Sequence, residues 1–203
     1  MKMLILLVAL IQAAPAPALA ADPVQAAMTC RSATLAGWNP LPLEIAARHL
    51  YFTMAAARAL PGNDDYFQRM AAIASRPYPR VRPEDAQRIG DLCDRLHPPA
   101  RRTGPVALPA DAFDRDMMCA GAAAGFSGTA RAHAERNGDT APSTRLDALV
   151  ARYQPRAIAG MIERRMTTAD VQRRAIGDQL FATLDLGNLA VVTDACEAQL
   201  PGD

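Results

Sequence analysis

The chain has a single lysine, Lys2, and every later cation is an arginine. Past the first residues the arginines balance the 21 acids. A chain without net positive charge lacks the basic surface that nonspecific nucleic-acid binding needs, so nucleic acid is excluded as a partner. After Ile11 no apolar run approaches the ~20 residues of a membrane-spanning helix. No two cysteines are close in sequence, there is no C-x-x-C, and His49, His97 and His133 are isolated from one another. A structural zinc site and a redox-active cysteine pair both need such spacing. Phosphate-cradling glycine loops and the H-E-x-x-H metalloprotease motif are missing. Ser127 lies in Gly-Phe-Ser-Gly, not in the G-x-S-x-G of a nucleophile elbow. No catalytic residue, metal ligand or cofactor is implied.

The first 20 residues are built for export. Lys2 supplies the positive start, Met3 to Ile11 an apolar segment of the length a signal peptide uses, and Ala18-Leu19-Ala20 a small-x-small cleavage site. Pro15 and Pro17 break the run as a buried helix. The mature chain is expected to begin at Ala21 and to be periplasmic or secreted, with no transmembrane segment.

What remains is rich in alanine, leucine, arginine and methionine, all strong helix formers, with few β-branched residues. The reading is all-α. Asp22 and Pro23 open a helix running to about Leu35. A second runs from Pro42 to Leu60, with Leu43, Ala47, Leu50, Met54 and Ala57 at the steps of a buried stripe. Asn63 or Asp64 caps a third, and Pro83-Glu84-Asp85 opens a fourth, with acids where the helix dipole favours them. In the second part a long helix from Pro109 or Asp111 ends at Asn137-Gly138-Asp139. Pro142 begins another, which Pro155 interrupts. A segment over 157–166 follows, then a helix capped by Thr167, then a last one from Leu189 to Leu200.

Four cysteines in an exported chain point to two disulfides. Their settings repeat. Met28-Thr29-Cys30 echoes Met117-Met118-Cys119, and Asp91-Leu92-Cys93-Asp94 echoes Asp194-Ala195-Cys196-Glu197, each with a proline five residues on. This predicts two pseudo-repeated small helical bundles, 21–98 and 110–203, joined by a proline-rich linker over 99–109. Each bundle is stapled by one bridge, Cys30–Cys93 and Cys119–Cys196. Arg101-Arg102 falls in the linker as a solvated pair.

The stretch from Met117 to Gly128 carries small side chains, and Gly121, Gly125 and Gly128 are expected to allow close helix packing. Part of it, Cys119-Ala120-Gly121 followed by Gly125-Phe126-Ser127-Gly128, resembles the Cys-x-Gly-Tyr-(Ile/Val)-x-Gly helix of small periplasmic immunity proteins. Here the Gly-Phe is displaced by four residues, and no functional residue carries over. The acid pairs Asp64-Asp65, Asp91 with Asp94, and Asp114 with Asp116 lie near expected helix ends, where capping accounts for them. Trp38, in Gly-Trp-Asn-Pro, covers the core or lines a groove.

The reading is a noncatalytic periplasmic helical protein, a protein-binding or structural module of the envelope whose partner is another envelope protein. Two alternatives stand beside it. One is a binder of small molecules or lipids, with methionines lining an adaptable pocket. The other, implied by the resemblance, is an immunity-type inhibitor of a secreted toxin. Export predicts that N-terminal sequencing of the exported protein begins at Ala21; Met1 retained in the soluble protein overturns it.

Overall fold

The computed structural model describes residues 19–62 and 64–200. Most of the expected leader therefore lies outside the described residues, as does Asn63. Among the described residues there are eight α-helices, one 3-10 turn and no strand.

Helix α1 (Pro23–Leu35) starts where its cap predicts, with the Asp22 carboxylate accepting from the Val24 amide at 3.0 Å. Helix α2 (Leu43–Arg58) follows, with Pro42 in the cap position. Helix α3 (Tyr66–Ala74) is capped by Asp65, one residue past the expected Asp64. The reason is reciprocal bonding. Asp65 Oδ1 accepts from the Gln68 amide at 3.0 Å, and Gln68 Oε1 accepts from the Asp65 amide at 3.1 Å. Arg69 then gathers the α2–α3 turn by donating to the carbonyls of Arg58, Leu60, Gly62 and Asp64. Helix α4 (Pro83–Leu96) closes the first half.

The second half mirrors that count. Helix α5 (Ala112–Asn137) is capped by Asp111 and ends at Gly138, whose φ of +76° suits the left-handed turn a glycine best adopts. Helix α6 (Ala141–Glu163) runs straight through Pro155, correcting the expected break. An interior proline costs ~3 kcal/mol. Here the helix packs along α5 on both sides of it, through buried Leu146, Leu149 and Tyr153 before and Ala157 and Met161 after. Helix α7 (Ala169–Leu186) is capped by Thr168, not Thr167, and α8 (Leu189–Ala198) by Asn188.

Both disulfides join the expected cysteines: Cys30–Cys93 ties α1 to α4 and Cys119–Cys196 ties α5 to α8, with Cα–Cα distances of 5.6 and 5.7 Å. In the chain-entropy account, each bridge stabilises by about 4 kcal/mol.

One hydrophobic core runs through both halves. Helix α2 meets α5, α7 and α8 as well as its own neighbours, and α3 meets α7. Tyr51 donates to the Leu184 carbonyl at 3.2 Å, and Arg58 pairs with Asp185 at 2.9 Å. The linker joins in at its start. Pro98–Arg101 form the 3-10 turn, Ala100 is fully buried, and its carbonyl accepts from Asn188 at 3.1 Å. Arg101 and Arg102 are exposed but held, by Asp94 and the Leu186 carbonyl.

The glycines of α5 divide. A side chain at Gly121 would start 3.3 Å from Leu180, and one at Gly125 would touch Leu189 at 3.6 Å, an ordinary contact. Gly128 faces open space, which corrects the expectation of close packing there. Helix α6 reaches that turn on its other side, where Ser127 and Arg131 bond Asp147. The tight approaches lie elsewhere, at Gly160 under Phe113 and at Gly177, where a Cβ would sit 2.5 Å from Tyr66 Cβ.

This contrast predicts opposite outcomes for one substitution. Gly177→Ala forces α3 and α7 apart and destabilises by ~1–3 kcal/mol. Gly128→Ala meets nothing and stabilises by ~0.5–1 kcal/mol through helix propensity. Denaturant midpoints check both.

Candidate functional site

An open apolar cleft of about 360 Å³ lies where α5, α6 and α7 meet. Its floor is the small-residue stripe of α5. Met117, Ala120, Gly121 and Ala124 recur at the three- and four-residue steps of one helix face. Because Ala120, Gly121 and Ala124 carry a methyl group or no side chain at all, the neighbouring helices leave a trough above them. One wall is α6, from Val150 to Ile162; the other is α7, through Gln172 and Ile176. Phe113, Met166 and Ala175 pack with Met117, Ala157 and Met161 in a small satellite core beside the main one.

The lining holds no ionisable side chain. Its polar groups are Gln154 and Gln172, and Gln172 donates to the Met166 carbonyl at 2.8 Å. The rim on α6 is apolar and open to water: Ile162 is 72% exposed, and Ile158 is also exposed. The volume falls within the ~300–1,000 Å³ of ligand clefts. Such a site can bind apolar groups but offers no acid, base or nucleophile.

The expected Gly121 lies in the cleft floor, and the Met117 and Met161 side chains line it. The α6 wall could not be read from the sequence once that helix was split at Pro155. The helical stripe Val150, Gln154, Ala157, Met161 was the available signal.

The other residues singled out from the sequence are dispersed. His97 caps the end of α4, edge-on to Tyr51 and Phe52. His133 bonds the Leu41 carbonyl at 3.2 Å. Among the described residues no three potential metal-ligating side chains cluster. Ser127 donates to Asp147 at 2.7 Å, and the Ser127 and Arg131 bonds hold that carboxyl below its ordinary range against partial desolvation. Asp65 and Asp111 are caps. Trp38 lines a separate polar groove.

Arg31 escaped the sequence reading altogether. It is only 6% exposed. Its Nε donates to His49 Nε2 at 3.2 Å, a second nitrogen reaches the Tyr78 hydroxyl, and Tyr78 covers the guanidinium at 4.0 Å. Burial pulls the Arg31 pKa down. Burial first, and the Arg31 charge second, pull His49 down to about 4. The cluster pins the proline-rich 77–82 segment onto α1.

Compared with known protein families, curated proteins and solved structures, the chain matches none.

His49 sets a pH dependence. Unfolded, it titrates near ~6.5; folded, it stays neutral down to about 4. Between those values the unfolded chain binds the extra proton, so stability falls as the pH drops through that window. The denaturant midpoint of the wild type should therefore fall further between about pH 7 and about pH 5 than that of His49→Gln. Equal losses would refute the assignment.

Proposed function

We propose that the chain is an exported, noncatalytic, disulfide-stapled helical protein that binds another envelope protein through the α5–α6–α7 cleft. The observation that carries this is the apolar rim. Ile162 and Ile158 stand in water beside a trough that has no charged lining. Exposed apolar residues grouped around a groove mark an interaction surface more often than scattered ones do. Val150 to Ile162 spans about 18 Å, or three helical turns, the length over which an amphipathic helix seats its apolar residues in a groove. The partner we propose presents such a helix.

Two disulfides fit an oxidising compartment. Cleavage before Ala21 would leave Asp22 and the α1 cap intact. We also propose that the halves are diverged copies. Each has four helices with its first and fourth bridged, and the first and second of each half pack closely together. They remain bundles in sequence order while sharing one core.

A second reading, an apolar small molecule or lipid chain in the same cleft, is favoured by its volume and by the adaptable Met117 and Met161 side chains. Native mass spectrometry separates the two, because a lipid binder carries copurified ligand.

A photoreactive residue at position 162, installed in cells, should crosslink to one partner, and the same residue at position 135 should not. Ile162→Asp, at an exposed position, should leave thermal stability unchanged and weaken partner binding at least about tenfold. No crosslink at 162, or equal crosslinks at both positions, overturns the protein-binding reading.

A further inference from the structure

A second groove lies in the first half, between the end of α1, the turn after it, α2, α4 and the 3-10 turn. It holds about 240 Å³. Its character is the opposite of the cleft's. The indole of Trp38, 50% exposed, forms part of it, and facing helices supply Thr34, Arg48, Gln87, Asp91 and Arg101. Asp94 sits deeper, accepting from Arg48 at 2.5 Å and from Arg101 at 3.0 Å. Gln87 donates to Asp91 at 3.0 Å. Gly90 leaves a gap in the α4 wall, since a Cβ added there meets nothing within 4 Å.

Three properties narrow what this groove takes. Its two arginines and two aspartates cancel, so it favours neither an anion nor a cation. Its polar side chains offer both donors and acceptors: Gln87 and Arg101 give N–H groups, while Asp91 and the Gln87 carbonyl accept. The exposed indole adds a flat apolar face whose negative π-surface attracts weakly positive C–H groups. A ligand that meets all three is uncharged, carries hydroxyls on its edge and has C–H bonds on one flat face.

A pyranose ring has that chemistry. A peptide fits less well. The walls are helices whose backbone groups are already bonded, and among the described residues no strand edge is available to pair with an extended chain. We propose that the Trp38 groove binds a neutral saccharide, one sugar ring stacked on the indole and its hydroxyls bonded by Gln87, Asp91 and Arg101. This site is separate from the α5–α6–α7 cleft, and neither proposal depends on the other.

Trp38 is the chain's single tryptophan, so its fluorescence reports this groove alone. The purified protein is titrated with chitotetraose, cellotetraose, maltotetraose and, as the peptide comparison, tetraserine. At least one of the sugars should give a saturable shift of the emission to shorter wavelength at millimolar concentration, and tetraserine should give none. Gly90→Phe adds a ring to the groove from a position where a Cβ meets nothing within 4 Å. It should keep the thermal midpoint and weaken sugar binding at least about tenfold. Should that variant unfold, Gln87→Ala, on an exposed side chain, provides the same comparison. The proposal is overturned if no sugar gives a saturable change, if tetraserine matches the sugars, or if the folded variant binds as tightly as the wild type.

Discussion

The side chains of α2 are enclosed on almost every side, and that enclosure joins the two stapled halves. Ala46, Ala47, Ala55, Ala56 and Ala57 are small enough for neighbouring helices to close in around the helix. Tyr51, Phe52 and Met54 fill the space left between them and are buried. Burying a side chain of the Phe or Met class stabilises by ~1.5–3 kcal/mol. Because α5, α7 and α8 all rest on α2, neither half encloses its own apolar surface without the other. The bridges lock the halves internally; the contacts of α2 do the joining.

Helix ends fixed by local chemistry were readable from the sequence. Asp22 accepts from the Val24 amide, Pro83 removes an amide that would have no partner in the helix, and Gly138 turns left-handed so that its own amide reaches the Ala134 carbonyl. Where two caps compete, the sequence was ambiguous. Asp65 prevailed over Asp64 because Gln68 could reach back to it, and Thr168 over Thr167 by a single position. Pro155 misled for a different reason. Its cost is local, while the packing that offsets it comes from α5, far away in the chain. The bridges followed from the repeated cysteine settings, but the shared core did not, because periodicity reports that a face is buried and not what buries it.

The same distinction separates what could be read of the sites. The small-residue stripe of α5 was evident, yet a floor is not a cleft until its walls are placed, and α6 had been cut in two. Gly128 belonged to the same pattern as Gly121, and only the path of the crossing helices sets them apart. Arg31 gave no signal at all. A lone arginine between Cys30 and Ser32 looks like a surface residue. Its burial depends on Tyr78, which the proline-rich segment carries back over it from 47 positions along the chain.

Each bridge joins cysteines that are neighbours in the order of the chain: first with second, third with fourth. If the chain is exported as we propose, an oxidant working on it as it emerges from a membrane, N-terminus first, meets Cys30 with Cys93 before Cys119 has appeared. The order of arrival then selects the native partners, and simple oxidation suffices without later reshuffling. The shared core sets the opposite schedule for packing, since α2 waits for α5, α7 and α8. Covalent closure of the first half thus precedes its burial, and the stapled segment holds its four helices close together until the rest of the chain arrives to cover them.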